Sequence, residues 1–283
     1  MASFIYSAFA DEISTDFNVQ LDSLNKLEIP YIELRGVDGK SFVSLDDGEV
    51  AAVKEKLASH GVKVWSLGSP LGKAKTNEKA SQLALLDRIM SIGDKLGVNR
   101  IRMFSFYPEE NDSRELFRAK AFDNVDALVE KAAKEGFILC HENEKDIFGD
   151  TIENVKALAE CFGGGLKVVL DNANFVYAGK KVEGAYDALK DHIEYLHVKD
   201  CTDGSIIVPP GKGKALVYET LSKINADRKG GVVLTVEPHL MDFAGLSSLT
   251  HNNESLEHLY HFDTPYDAFA CAYGLIKDMV SSL

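Results

Sequence analysis

Short apolar runs rich in β-branched and aromatic residues recur along the chain, and their starts lie about thirty residues apart. Bounded by polar and glycine-containing stretches, such runs predict buried strands. The predicted strands cover residues 4–9, 31–34, 62–67, 98–104, 137–140, 166–170, 193–198 and 232–236. Their even spacing indicates one structural unit repeated along the chain.

Between the strands, apolar positions follow the period of an α-helix. In residues 16–27, for example, Phe17, Leu21 and Leu24 recur at intervals of three or four positions. Glycines 61, 97 and 136 each follow a helical pattern and precede an apolar run, where glycine commonly ends a helix. The further predicted helices cover residues 50–60, 79–96, 112–135, 151–162, 218–226 and 266–283.

Strands that alternate with helices predict an α/β fold built on a parallel sheet. Eight such units with right-handed crossovers close into a (β/α)8 TIM barrel of about 250 residues. An open doubly wound sheet is the alternative, but it usually has a glycine-rich first turn. The first predicted turn, Ala10-Asp11-Glu12-Ile13, contains no glycine. We therefore expect one TIM-barrel domain spanning residues 1–283.

The least regular stretch, residues 242–265, follows the eighth predicted strand and includes His251, His258 and His261. In a barrel this position belongs to a loop at the catalytic end. Because long loops there often close over the site, we expect this segment to act as a lid.

Composition narrows the class of protein. With 45% hydrophobic and 27% charged residues, the chain is typical of a globular enzyme. A net charge of -13 repels phosphate backbones, which argues against a nucleic-acid partner. The cysteines form no C-x-x-C pair, and the N-terminus lacks the pattern of a signal peptide. Since no apolar run is long enough to span a membrane, we expect a cytoplasmic protein without a membrane partner.

Titratable residues stand at the ends of four successive predicted strands, where a barrel places its active site. They are Glu142, Asp171, His197 and Glu237. Unpaired buried charges are costly, and a cation among them would satisfy all four residues. Three carboxylates and one histidine suit a divalent ion such as Mn²⁺, Zn²⁺, Co²⁺ or Mg²⁺, and the absence of cysteine disfavours a structural zinc site.

The alternative is that these groups form salt bridges with basic residues at the same rim. The basic residues available are Arg35, Lys73, Arg102 and Lys199. This alternative is favoured for any one acidic residue alone, whereas the four residues together favour the metal.

The chain resembles the sugar phosphate isomerase/epimerase family, the xylose isomerase-like TIM barrels that also include endonuclease IV. The resemblance extends over nearly the whole chain and rests on Glu142-Asn143, the turn at Asp171, His197-Val198-Lys199-Asp200 and Glu237. It implies that one divalent ion is bound by Glu142, Asp171, His197 and Glu237. It also implies that the two glutamates exchange the substrate proton.

Two positions depart from the family pattern. A histidine usually follows the strand-six aspartate by three residues, and here that position is Asn174. An arginine often follows the strand-seven histidine by six residues, and here that position is Asp203. Asparagine can hydrogen-bond a hydroxyl group but cannot carry a proton. Because of these two departures, the resemblance does not identify the substrate.

Further residues at the same rim are candidates for substrate binding. They are Glu12, Arg35, Lys73, Asn174 and Lys199. Arg35 or Lys73 could bind a sugar phosphate or a carboxylate. A rim salt bridge, such as one between Arg35 and Glu12, is the alternative.

The leading hypothesis is a metal-dependent isomerase or epimerase that moves a proton next to a carbonyl of a small sugar or sugar phosphate. A metal-dependent lyase or dehydratase, for example of a keto-inositol, would use the same ligands. A DNA-repair enzyme similar to endonuclease IV would require extra histidines and a basic face, whereas the matching strand ends here lack those histidines and the net charge is -13. A non-catalytic sugar-binding barrel remains open, and the family resemblance makes a homo-oligomer possible.

Overall fold

The computed structural model describes residues 1–243 and 259–283, and most of the predicted lid at 242–265 lies outside them. Parallel strands, numbered one to eight in chain order, occupy all the predicted positions with small shifts at their ends. They are Ala2–Ala8, Tyr31–Leu34, Lys63–Leu67, Arg100–Met103, Ile138–Glu142, Leu166–Asp171, Ile193–Val198 and Gly230–Val236.

The strands form one sheet of eight, in the order one, eight, seven, six, five, four, three, two. The first and eighth strands pair along their whole length, from Ala2 opposite Gly230 to Ala8 opposite Val236. Strands one and two stand at the two ends of this order and lie beside each other. The sheet is therefore a nearly closed barrel, which confirms the predicted (β/α)8 fold.

Helices connect the strands and cover the outside of the barrel. The α-helices are Phe17–Lys26, Asp47–His60, Lys79–Leu96, Arg114–Lys134, Ile152–Cys161, Asn172–Tyr177, Ala185–Leu189, Val217–Asp227 and Pro265–Ser281. The two between strands six and seven were not predicted from the sequence. With 6 and 5 residues, they are too short to show a helical period.

The second helix begins three residues earlier than its apolar pattern predicts. The side chain of Asp46 accepts a hydrogen bond from the Glu49 backbone N–H, and the Glu49 side chain accepts one from the Asp46 N–H. This reciprocal capping box satisfies two backbone donors at the first turn. The helix therefore begins at Asp47, before its first buried apolar residue.

Short elements decorate the strand ends. Two-residue antiparallel ribbons pair Gly36–Val37 with Lys40–Ser41 and Asp200–Cys201 with Ile207–Val208. The 3-10 turns are Ala10–Glu12, Phe42–Ser44 and Thr76–Glu78. In the described part of the chain, no helix combines the length and apolar character that crossing a membrane requires.

The inside of the barrel has its own apolar layer, separate from the core between strands and helices. It consists of Cys140, Val169, Tyr195 and Val233, with Trp65 packed against it. These residues come from strands five to eight and strand three. Because this layer fills the barrel, it supports the side chains that lie nearer the C-terminal ends of the strands.

Gly72 provides a test of how tightly the loop after strand three packs against the end of strand four. Its φ is 81°, and a Cβ there would lie 2.0 Å from the carbonyl oxygen of Phe104. We expect Gly72→Ala to lower the free energy of unfolding by about 3 kcal/mol or more, because strain and backbone overlap add together. Denaturant unfolding would measure this loss.

Gly61→Ala is the matched control. Gly61 also has a positive φ, of 67°, but no atom lies within 4 Å of the added Cβ. Its cost should be only that of the backbone conformation, about 1–2 kcal/mol. Equal losses in the two variants would contradict a close contact at Gly72.

Candidate metal centre

The two-residue period of the strands brings the predicted ligands to one place. Along a strand, residues two apart point to the same side. Glu142 follows Cys140 by two positions, Asp171 follows Val169, and His197 follows Tyr195, so each is placed above a residue of the interior apolar layer. Glu237 follows the end of strand eight at the same rim. Strands five to eight therefore direct four titratable side chains into the barrel mouth.

These four side chains are buried, and one donor atom from each lies within 4.8 Å of the others. His197 Nδ1 is 3.0 Å from Glu142 Oε1 and 3.2 Å from Glu237 Oε2. Lys199 Nζ is 2.9 Å from Asp171 Oδ2 and 3.2 Å from Glu237 Oε2. The predicted ligands thus form one group, with an ammonium group beside two of them.

Each of the two glutamates is also held by an arginine. Arg102 Nη1 lies 3.2 Å from Glu142 Oε2, and Arg35 Nη1 lies 3.0 Å from Glu237 Oε1. Both guanidinium groups stand over the ring of Phe9, at 4.1 Å for Arg35 and 5.1 Å for Arg102. Salt bridges with rim cations, the alternative to a metal, are therefore present in the chain.

Those salt bridges do not balance the buried charge. In the described part of the chain, Arg35, Arg102 and Lys199 face a larger set of carboxylates around the cluster. This set is Asp11, Glu12, Glu33, Glu142, Asp171 and Glu237. Burial, against the opposing effect of Arg35, raises the pKa of Glu12 to about 8, so that this carboxyl is mostly protonated at neutral pH. Burial lowers the pKa of His197, but Glu142, Glu33 and Glu237 outweigh it and hold the pKa well above its usual range, so the ring is a fourth cation. Five carboxylates then face four cations.

A divalent cation that replaced the ring proton of His197 would supply the missing positive charge. Asp171 Oδ2 is buried and contacts the Lys199 ammonium group at 2.9 Å, so this oxygen already lies beside a positive charge and next to the other donors. Carboxylate oxygens with one imidazole nitrogen are a donor set that Mg²⁺, Mn²⁺, Zn²⁺ or Co²⁺ can use. The residues present therefore fit a divalent metal ion.

The protonation states also favour a cation. Burial would raise the pKa of Glu142, but His197 and Arg102 outweigh it and lower the pKa to about 2. Burial is likewise outweighed at Glu237, where Lys199 and His197 hold the pKa well below its usual range. Burial raises the pKa of Asp171 to about 6, only partly offset by Lys199. All three carboxylates are therefore mainly ionised at neutral pH.

Asn174, where the family pattern has histidine, contacts the cluster directly. Its Nδ2 donates to Glu142 Oε1 at 3.1 Å and to the Asn143 carbonyl oxygen at 2.8 Å. Its backbone N–H donates to Asp171 Oδ1 at 3.0 Å, where Asp171 caps the short helix Asn172–Tyr177. Asn174 therefore orients two of the predicted ligands.

The remaining predicted substrate-binding residues lie around the same mouth. Arg35 pairs with both oxygens of Asp11, at 2.8 and 3.0 Å, and more weakly with Glu12, at 3.4 Å. The rim salt bridge expected between Arg35 and Glu12 is thus present but secondary. Lys73 Nζ lies 3.1 Å from Glu144 Oε2 and over the ring of Phe104.

A cavity of about 400 Å³ opens beside the cluster. Arg35, Arg102 and Lys73 line it, together with Asp11 and Pro70. Because the two arginines contact Glu237 and Glu142, the cavity is one guanidinium group away from the predicted ligands. Its volume is in the range of small-molecule pockets, roughly 300–1,000 Å³.

Two residues that organise the cluster were not predicted as part of it. Glu33 lies within the buried strand Tyr31–Leu34 and accepts a hydrogen bond from the ring of His197. A carboxylate inside a short apolar strand was the available signal. Asn143 bridges to the Asp171 backbone with two bonds, of 2.6 and 3.0 Å. The sequence indicated Asn143 only as the neighbour of Glu142 in the family pattern.

His141, the neighbour of Glu142, faces away from the cluster, as strand alternation requires. It is fully buried, and a Cβ on Gly149 would lie 2.3 Å from its ring. Burial lowers the pKa of His141 to about 4, so the ring is neutral. These contacts give His141 a packing role.

The fold and the donor set together define a TIM barrel with a buried carboxylate–histidine cluster at the C-terminal ends of its strands. Residues 21–260 match the xylose isomerase-like TIM barrel family. The chain therefore belongs to this family, as the resemblance of its strand-end residues implied. No curated protein matches the sequence.

Solved structures share the fold over the whole chain. The IOLI protein with a bound zinc atom is 19% identical, with a TM-score of 0.76, and the match covers 100% of this chain and 99% of the IOLI chain. The D-allulose 3-epimerase from Methylomonas sp., in complex with D-allulose, is 18% identical, with a TM-score of 0.72 and coverages of 99% and 98%. The probable 3-DHS dehydratase AsbF from Bacillus anthracis is 13% identical, with a TM-score of 0.71 and coverages of 98% and 99%.

The cluster can be tested by metal binding alone. We expect Glu142→Gln to weaken Mn²⁺ binding by more than about 100-fold, because a direct ligand should matter at least as much as the groups that orient ligands. Titration of the metal-free protein, followed by the electron paramagnetic resonance signal of free Mn²⁺, would measure the affinity.

Glu144→Gln is the control for this measurement. Glu144 is two residues away and pairs with Lys73 instead of the cluster. Its substitution should leave Mn²⁺ affinity within a few-fold of the wild-type value. If Glu142→Gln binds Mn²⁺ as tightly as Glu144→Gln, Glu142 is not a ligand.

Proposed function

We propose that this protein is a metal-dependent isomerase or epimerase of a small sugar or sugar phosphate. Glu142, Asp171, His197 and Glu237 would bind one divalent ion. The observation that carries the proposal is the pair Glu142 and Glu237, two buried carboxylates from non-adjacent strands, each held by an arginine that also lines the cavity.

Both reactions begin with the removal of a proton next to a carbonyl group. When bound, the divalent ion would polarise that carbonyl and stabilise the negative charge that develops on its oxygen. An ionised glutamate takes the proton, and a proton returns to the substrate carbon from that same glutamate in an isomerase. In an epimerase the other glutamate returns a proton, which it must first take up from water. Because the two glutamates come from strand five and the end of strand eight, they can approach a bound sugar from different sides.

The surrounding residues keep these two carboxylates in place. Arg102 holds one carboxylate oxygen of Glu142, and Arg35 holds one of Glu237. Both contacts favour the ionised form of the glutamate and fix its orientation. Asn174 donates to the other oxygen of Glu142, and Lys199 contacts the other oxygen of Glu237. These four side chains fix where a proton can be taken up and delivered.

The cavity indicates what the substrate would meet. Arg35, Lys73 and Arg102 give one wall a positive character, which suits sugar hydroxyls or a phosphate group. Glu12 and Asn174 lie at the same mouth, where they can orient hydroxyl groups. The fold shared with a sugar 3-epimerase that holds D-allulose supports a sugar substrate.

A dehydratase is the second candidate. It also starts by removing a proton next to a carbonyl, so it could use the same two glutamates. The fold shared with the probable 3-DHS dehydratase AsbF supports this alternative. The two candidates differ in the second step, because a proton returns to the carbon in an epimerase, whereas a hydroxyl group leaves in a dehydratase.

Solvent deuterium uptake and loss of water, measured together, distinguish these reactions. We expect the protein with Mn²⁺ in D₂O to incorporate deuterium into at least one of fructose, psicose, tagatose and their phosphates, and EDTA to abolish the exchange. Glu237→Gln should slow it by about 10²–10⁴-fold, the usual contribution of a proton-transfer residue. Nuclear magnetic resonance and mass spectrometry of the recovered sugar would follow both exchange and water loss.

The exposed Glu183 provides a control, since Glu183→Gln makes the same chemical change away from the cluster. Its exchange rate should equal that of the wild type. Loss of water from the substrate would favour the dehydratase, and no metal-dependent exchange across the panel would contradict an isomerase.

A further inference from the structure

Glu33 is a charged residue in an unusual place. It stands inside the barrel on strand two, and its side chain has 0% of its surface exposed. Among residues 1–243 and 259–283, no lysine or arginine forms an ion pair with it, and its one cationic partner is His197. A buried carboxylate without such a partner is costly, so its neighbours must explain it.

Three hydrogen bonds surround the Glu33 carboxylate. Tyr195 Oη donates to Oε1 at 2.7 Å, and Thr235 Oγ1 donates to Oε2 at 3.0 Å. The same Oε2 lies 3.0 Å from His197 Nε2. These partners come from strands seven and eight, so Glu33 reaches them from strand two across the barrel interior.

The bond to His197 determines how its ring faces the cluster. With Nε2 held by Glu33, the other nitrogen, Nδ1, faces Glu142 at 3.0 Å and Glu237 at 3.2 Å. A histidine that donates its far N–H to a carboxylate is fixed in ring orientation, and its near nitrogen becomes a better metal ligand. The geometry here is that arrangement.

We infer that Glu33 is a positioning residue for the metal centre, which orients His197 and directs its Nδ1 at a bound cation. The inference rests on the proposed function only in requiring that a metal binds at the cluster. Glu33 would not touch the substrate or the ion, and it would act only through His197.

A purely structural role is the competing explanation, because Glu33 also joins strand two to strands seven and eight. Tyr195→Phe separates the two roles. It removes the bond to Oε1 and leaves His197 and Thr235 on Oε2. A structural role predicts similar effects on metal binding from Glu33→Gln and Tyr195→Phe, whereas a positioning role predicts an effect from Glu33→Gln alone.

The experiment measures Zn²⁺ affinity of the full chain by competition with a chelator. Glu33→Gln should weaken Zn²⁺ binding by about 10–100-fold, the usual effect of losing the carboxylate behind a ligating histidine. Glu33→Asp keeps the charge but withdraws it by one methylene group, and it should also weaken Zn²⁺ binding. This variant serves as the test if Glu33→Gln does not fold. Tyr195→Phe should bind within a few-fold of the wild type.

A second readout reports the ring of His197 itself. In the Zn²⁺-loaded wild type and in Tyr195→Phe, the Nε2 proton of His197 should give a downfield resonance typical of a strong hydrogen bond to a carboxylate. In Glu33→Gln it should move upfield. A structural role alone would not produce this difference between the two variants.

The outcomes separate this inference from the proposed function. If the wild type binds Zn²⁺ and Glu33→Gln binds it equally, with an unchanged His197 resonance, the inference is overturned while the metal centre stands. If the wild type binds no Zn²⁺, the metal centre fails and the inference fails with it. Equal weakening by Glu33→Gln and Tyr195→Phe would assign Glu33 a structural role.

Discussion

The balance of charge in the barrel mouth is the constraint on which the site depends. Carboxylates that leave water must be matched by cations and hydrogen-bond donors, or the folded state loses several kcal/mol for each, by order of magnitude. Here Arg102 holds Glu142, Arg35 holds Glu237 and Asp11, and Lys199 stands between Asp171 and Glu237. These partners, together with the protonated ring of His197, still leave an excess of negative charge, so the cluster could hold a cation.

The buried charges come together because the barrel interior changes from apolar to titratable residues along the barrel axis. On strands five, six and seven an interior apolar residue is followed two positions later by a titratable one. Tyr195 and His197 illustrate the change, since the tyrosine belongs to the apolar layer and the histidine to the cluster. Closing the sheet brings residues from distant parts of the chain together. Arg35 and Glu237, for example, are separated by 202 positions in sequence.

The amino-acid pattern predicted the residues of the site that stand at the ends of strands five to eight. Glu142, Asp171, His197 and Glu237 each end or follow an apolar run, so their common location followed from the fold alone. Glu33, Asp11 and Arg102 belong to the other half of the barrel, and their partners depend on side-chain reach across the interior. Periodicity carries no information about that reach. The Arg35 to Glu12 pair was expected, but the shorter bonds of Arg35 go to Asp11 and Glu237.

The helices show the same limit at a smaller scale. Long amphipathic helices and the glycines after them were predictable, because both depend on local sequence. The start of the helix Asp47–His60 depends on a side-chain cap, and the helices Asn172–Tyr177 and Ala185–Leu189 are too short to show a period. The first of these short helices is capped by Asp171, so one predicted ligand also sets the local backbone.

Lys199 shows how the chain can fold around a cluster of like charges before an ion is present. Its ammonium group lies 2.9 Å from Asp171 and 3.2 Å from Glu237, close enough to offset both charges. A divalent cation among the same oxygens would compete with this ammonium group for them, because both are attracted to the same carboxylates. Lys199 therefore stabilises the fold without an ion, and it would weaken the binding of a cation at the same oxygens. The affinity for a metal ion bound as proposed would depend on this competition as well as on the four donors.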